Sequence, residues 1–287
     1  MRYACIARHR AEFQLGLMCR VLDVSRTGFY AWLQRAPSGR AREDSRLRAE
    51  IRAIHTKSKQ SYGRVRIRRV LSKQQIAIGC TRVARLMREE RLRTKRSPRF
   101  HATTQSDHRL PVAPNLLHQE FTVDAPNRVW VSDITYIRTD AGWLYLATVL
   151  DLYSRKIVGW SLKRTLHEGI CLEALKRAIA IRRPDAGLIH HSDRGKQYAG
   201  WAYQDLLRAH QIEPSMSRKG NCWDNAVAES FFALLKVERL HGQIFRTRSE
   251  ARREVVDFIE RWYNRERQHS TLGGISPIEF EAQRHAA

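Results

Sequence analysis

Val129-Trp130-Val131-Ser132-Asp133-Ile134-Thr135-Tyr136-Ile137 reads as a β-strand with a carboxylate set in its middle. Strand alternation places Val129, Val131, Asp133, Thr135 and Ile137 on one face. A lone carboxylate among apolar neighbours costs several kcal/mol unless a cation or hydrogen bonds compensate it. Two more acids stand in similarly unexpected places. Asp193 closes Leu188-Ile189-His190-His191-Ser192-Asp193, and Glu229 lies within Ala226-Val227-Ala228-Glu229-Ser230-Phe231-Phe232, a helix-like run. Three such positions in a strongly basic chain point to a metal site that works on nucleic acid.

Working outward, residues 129–138 alternate and meet a turn at Thr139-Asp140-Ala141-Gly142. Strands over 143–151 and 156–162 complete a predicted antiparallel meander. A helix is expected over 168–181, a short buried strand over 188–191, a helix over 201–210 and a strand over 212–215. A glycine-containing loop (217–223) then leads into a helix over 225–240, and an amphipathic helix follows over 249–265. This order predicts an α/β fold, a mixed sheet with helices on its faces. Asp193 would end the fourth strand, where open sheets carry functional groups, and Gly195 beyond it allows a tight turn. With the first and fourth strands adjacent and the Glu229 helix above them, the three carboxylates converge.

Convergent carboxylates repel one another unless a cation joins them. All-oxygen ligands suit Mg2+ or Mn2+. Two such ions roughly 3.5–4 Å apart activate an attacking oxygen and stabilise a leaving one on phosphorus. Lys236, seven residues past Glu229, falls about 20° short of two full helical turns, so Asn225, Glu229 and Lys236 line one stripe with a phosphate contact expected at Lys236. An ordinary amphipathic helix with a surface Glu and Lys accounts for that stripe equally well. The spacing of the three acids is weak evidence by itself, since the chain holds 29 acidic residues.

The charge is unevenly placed. The 287-residue chain carries a net +23, and residues 1–100 hold 26 Lys+Arg against 7 Asp+Glu. That asymmetry predicts a polyanion-binding front, residues 1–100, a linker over 101–121 punctuated by Pro111 and Pro114, and a catalytic domain over 122–285 with a helical tail. The front reads as helices: 15–22 and 26–34 joined by a short turn with Ser25 as cap, a helix through Leu47, Ile51 and Ile54, then a second pair over 62–71 and 81–91. Both pairs fit a helix-turn-helix unit. Arg64, Arg66, Arg82 and Arg85 are the expected DNA contacts there, with Arg218 and Lys219 in the glycine loop; a small bundle with a solvated basic face is the plainer alternative. No apolar run approaches the roughly 20 residues needed to span a bilayer. The N-terminus has no signal-peptide pattern, and the five scattered cysteines lack a C-x-x-C pair, so a cytoplasmic, nucleoid-associated protein with reduced thiols and no zinc site is expected. Asp151 reads as a turn residue or a fourth metal carboxylate, His190 and His191 as packing residues of which one could orient a metal-bound water, and Arg267 and His269 as DNA contacts or as docking residues for the last helix.

The residues also resemble a known family. Trp130-Val131-Ser132-Asp133-Ile134-Thr135-Tyr136-Ile137, Asp151-Leu152-Tyr153-Ser154-Arg155-Lys156-Ile157-Val158-Gly159-Trp160 and His191-Ser192-Asp193-Arg194-Gly195-Lys196-Gln197-Tyr198 carry the likeness. So do Gly220-Asn221-Cys222-Trp223-Asp224-Asn225-Ala226, Glu229-Ser230-Phe231-Phe232, Leu235-Lys236, Tyr263-Asn264, Arg267, His269, Leu272-Gly273 and Ser276-Pro277. Together they resemble the OrfB-type transposases of the insertion-sequence family three, relatives of retroviral integrases, over nearly the whole chain. The resemblance implies a ribonuclease-H-like core and makes Asp133, Asp193 and Glu229 a DDE triad binding Mg2+ or Mn2+. It implies cleavage of one strand at each element end by water, then direct attack of the freed 3′-hydroxyl on DNA: a polynucleotidyl transferase acting in DNA integration and recombination. It also implies double-stranded DNA as partner, a homo-multimer on that DNA, and an upstream-frame helix-turn-helix protein or frameshift fusion. This chain shows no heptad stretch, so the expectation is a downstream product, weak on its own. The readings held beside this one are a structure-selective nuclease on the same site and a DNA-binding regulator that keeps the core as scaffold.

Overall fold

The computed structural model describes residues 1–95, 111–218 and 222–285; Lys219 and residues 101–110 of the expected linker lie outside these. Three helices open the chain: α1 (Arg2–His9), α2 (Leu15–Val21) and α3 (Arg26–Gln34). Ser25 caps α3 as expected, its Oγ accepting from Gly28 N at 2.9 Å. Helix α1, which the sequence reading did not distinguish, buries Ile6 against Cys19 and Phe29 in a small core of its own.

Helices α4 (Gly39–Lys57), α5 (Arg64–Lys73) and α6 (Cys80–Glu89) form a second helical unit. Leu47, Ile51, Ile67, Leu71, Val83 and Leu86 are buried, as the helical spacing predicts. Their core is continuous with one face of the sheet that follows. Tyr62 marks the joint: its ring centroid lies 5.3 Å from that of Trp262, and its Oη accepts from Gln268 N at 2.8 Å. The basic front is therefore two modules, one with its own core and one sharing a core with the back half.

Strands β1 (Val129–Thr139), β2 (Gly142–Asp151) and β3 (Ile157–Lys163) form the expected antiparallel meander. Gly142 sits at φ +102° in the β1–β2 turn, a conformation that side chains resist. Strands β4 (Ile189–Ser192) and β5 (Glu213–Met216) extend the sheet in parallel, giving the order β3-β2-β1-β4-β5. This is the expected mixed sheet. Helix α7 (Gly169–Arg182) and helix α9 (Trp201–Ala209), reached through the single turn α8 (Lys196–Ala199), cover one face with Ala174, Leu175, Ala178, Tyr203 and Leu207. A Cβ at Gly159 would strike the Ala174 carbonyl and Ala178, so glycine there lets α7 lie close on β3.

The opposite face is covered by α10 (Ala226–Leu235) and α11 (Arg248–Val256) through Phe231, Phe232, Leu235, Val255 and Phe258. Each was expected as one longer α-helix; instead each ends in a π-helical stretch, Lys236–Leu240 and Asp257–Tyr263. The wider turn shows in His241 N donating to Lys236 O at 2.7 Å. Helix α12 (Pro277–His285) closes the chain as the helical tail. Residues 111–120 are more than a connector: Leu117 is buried, Met216 N donates to Pro114 O, and Leu116 N donates to Ser215 Oγ.

Candidate active site

The sheet register brings Asp133 and Asp193 together. Trp130 pairs with His190 and Val131 with His191 across parallel strands β1 and β4, and the same offset relates Asp133 to Asp193. Alternation then aims both toward the α10 face, because Val129, Val131 and Ile189 pack into that core while Trp130 packs into the other. Glu229 occupies the first turn of α10. Both aspartates are half-buried and Glu229 lies exposed at the rim.

Their charges interact. Burial, and next the Asp193 carboxylate, hold the Asp133 carboxyl well above the usual range; Glu229 raises it further, while the Ile134 N–H and Lys236 pull it down. Ile134 N donates to Asp133 Oδ1 at 2.7 Å and Gly195 N to Asp193 Oδ1 at 2.9 Å, which fixes both carboxylates through local backbone turns. Partial burial also raises Glu229. The donor chemistry fits a hard divalent cation, which would relieve this crowding of negative charge. Among the described residues no three Asp, Glu, His or Cys side chains are gathered closely enough to hold a metal ion as they stand. Asp193 and Glu229 both act on Asp133 through their charge.

Lys236 lies beside this cluster, as the helical stripe predicts, with its Nζ 5.4 Å from the centre of the Tyr136 ring. Several other expected contacts are placed differently. Asn225, expected on DNA, is buried, its Nδ2 donating to Ser132 O at 3.4 Å, which ties the start of α10 to β1. Arg82 and Arg85 clamp Asp44 of α4 at 2.8 and 2.6 Å, with Arg82 also on Glu43 and Arg85 on Glu89. Arg66 lies over the Tyr62 ring and 3.6 Å from Glu238. These arginines join helices or modules because acidic partners stand one helix away, a pairing that local sequence does not reveal. Arg64 is exposed, on a cleft shared with Arg88, Arg91 and Arg93.

Asp151 is a fully buried brace: it accepts from Asn127 N, Tyr153 N and Arg182 Nη2, each at 2.9 Å. His190 Nε2 lies 2.8 Å from Ser132 Oγ and 3.1 Å from Tyr203 Oη, and burial pushes it down to about 3. His191 sits between Ser215 and Ser217. Both are packing residues. Arg267 is buried on Glu238 at 2.8 Å and His269 is buried against Tyr263, so both dock the tail.

One residue of the site escaped the sequence reading. Asp224 is buried, and its carboxylate accepts from Arg218 N, from the Arg218 guanidinium at 3.0 and 2.9 Å, from Asn115 Nδ2 and from Gln119 Nε2. It gathers the glycine loop, the 111–120 segment and the start of α10 at one point. Arg218, expected on DNA, is therefore paired, although its side chain stays 55% exposed. The only local signal was an acid directly before Asn225.

Comparison with known proteins agrees with this architecture. Residues 123–222 and 229–284 match two integrase core domain models, and residues 42–100 match an HTH-like domain. The chain is 47% identical over 268 residues to the insertion element IS600 31 kDa protein of Shigella sonnei, covering 93% of this chain and 98% of that one. It is 44% identical over 283 residues to transposase InsF for insertion sequence IS3A of Escherichia coli K12, covering 98% of each chain. Among solved structures it is similar to the catalytic core domain of BIV integrase, at 18% identity and a TM-score of 0.39, over 56% of this chain and 97% of that chain. With near-complete coverage by close relatives, an integrase-type core and an HTH-like unit before it, the chain belongs to the transposases of the IS3 family of insertion sequences.

Proposed function

We propose that Asp133, Asp193 and Glu229 are the DDE triad of this transposase and hold the divalent ions, Mg2+ or Mn2+ and two in number, on which its polynucleotidyl transfer depends. The observation that carries the reading is that Asp193 directly follows β4, the parallel neighbour of β1, and that its charge and that of Glu229 on α10 both act on Asp133. When bound, such ions activate an attacking oxygen and stabilise a leaving one at phosphorus. The protein's own part is to hold the ligands. The Ile134 and Gly195 amides orient the two aspartates, and Glu229 completes the set from the rim. Lys236 offers its charge to the phosphate beside them. The attacking groups are water in end cleavage and the freed 3′-hydroxyl in strand transfer, with no covalent protein intermediate.

In this reading double-stranded DNA is held by the front modules and by Lys236, with Arg64 and its neighbouring arginines as phosphate contacts on the HTH-like unit. Work on two element ends calls for a homo-multimer on DNA. The test uses labelled element-end DNA with Mg2+, scoring nicking and joining. Asp133→Asn, Asp193→Asn and Glu229→Gln are each expected to abolish both reactions while DNA binding persists. Strand joining by Asp193→Asn would refute the assignment.

A further inference from the structure

Tyr136 and Trp143 are 43% and 45% exposed, although both belong to the central hairpin. Their rings meet edge to face, 5.2 Å between centroids and 90° between planes. Tyr136 pairs with Tyr145 across β1 and β2, so Trp143 is its diagonal neighbour. Diagonal aromatic pairs stabilise hairpins, and here the pair also remains open to solvent beside the cationic groups. The surroundings are cationic. Lys236 Nζ lies 5.4 Å from the Tyr136 ring centre and also acts on Asp133; Arg138 stands directly opposite Trp143; Arg248 Nε donates to Trp143 O at 3.0 Å.

Lys236 and the open edge of β1 tie this patch to the proposed site. Strand β4 pairs with β1 only at Val129–Val131, so beyond Asp133 the edge of β1 has no β4 partner. Tyr136 lies three residues past Asp133 and, by strand alternation, on the other face of β1; Lys236 connects the two, with its Nζ 5.4 Å from the Tyr136 ring centre and its charge acting on Asp133. Aromatic rings bind bases through their π-faces without regard to sequence, but only where the base face is not already covered by its neighbours in a duplex.

We propose that Tyr136 and Trp143 form a stacking platform for an unpaired nucleobase of the DNA strand held at the proposed site, with Lys236 bridging the platform and Asp133. The platform would hold a frayed or single-stranded DNA terminus open at the active site. It rests on the triad reading for where the reacting phosphate lies.

The test measures binding in a chelating buffer, where no cleavage occurs. The full chain is titrated with one duplex in two forms, blunt or extended by a tail of unpaired adenines carrying a single 2-aminopurine. The expected result is quenching of 2-aminopurine on binding. Tyr136→Ala or Trp143→Ala should remove the quenching and weaken tailed DNA by about 5- to 100-fold, with blunt duplex within about twofold. Trp143→Phe should keep part of the quenching. Equal weakening on both probes, quenching that survives both alanine variants, or an effect confined to self-association in sedimentation would each overturn the proposal. The triad is read separately, by nicking and joining of element-end DNA with Mg2+, and the platform by quenching without metal, so a failed triad assignment and a failed platform give different results.

Discussion

Glu238 lies on the π-helical stretch after α10, buried among Arg267, Arg66 and Trp262. Arg267 donates to its Oε1 at 3.0 and 2.8 Å, and Trp262 Nε1 donates to its Oε2 at 3.1 Å. Burial alone would raise this carboxyl, but Arg267 with its hydrogen bonds, helped by Trp262 and Arg66, more than offsets that and keeps it below its ordinary range. Removing one member of a buried ion pair leaves the other charge uncompensated. Glu238→Ala should therefore lower unfolding free energy by about 3–5 kcal/mol in urea denaturation, and a loss below about 1 kcal/mol would show the pair to be hydrated in solution. The same residue shows what local reading misses. Arg267 offered itself equally as a DNA contact or a docking group, and the partner that decides lies 29 positions away.

At the scale of elements, the loop before α10 determines where Glu229 can go. Asp224 binds that loop to residues 115 and 119 and to Arg218. Asp224→Ala frees α10 from this anchor, and a ~1 Å misplacement of Glu229 is enough to reduce strand cleavage about 100-fold. DNA binding should change little, because the front modules are untouched, and Asp224→Asn should recover part of the rate by keeping acceptor oxygen. Equal loss of binding and cleavage in Asp224→Ala would make Asp224 a general structural residue. The strands and most helices were legible because period-two and period-3.6 patterns are local. The π-helical ends were not: they arise where Glu238 and Arg239 meet Trp262 across two helices, with the Arg239 guanidinium 5.0 Å from the indole centre.

Over the whole molecule, buried neutral histidines make the fold sensitive to acid. His190 and His269 are each pushed by burial from 6.5 down to about 3. The unfolded chain takes up these protons as pH falls through 6.5, and the folded chain does so only near 3, so stability is present above 6.5 and declines as pH falls. Each histidine removes about 1.4 kcal/mol per pH unit within that window. Urea midpoints should fall steadily from pH 6.5 downward. His269→Gln should show a shallower slope, and identical slopes would remove His269 from this account. The transition should include α4–α6, since Tyr62, Trp262 and the Lys59–Glu254 pair at 2.6 Å join that unit to the core.

The sequence by itself determined the sheet, the face on which Asp133 lies, the basic front and the family, because alternation, charge density and contiguous motifs are written along the chain. Tertiary structure alone decided which polar side chains are available. Arg66, Arg82, Arg85, Asn225 and Arg267 found partners inside the protein, whereas Arg64 opens onto a cleft. It also decided that Asp193 leaves the strand next to the one that carries Asp133, because strand register is set by pairing between segments far apart in sequence. Electrostatic and hydrogen-bond energies depend on distances across the fold, and those exist only once the chain has closed on itself.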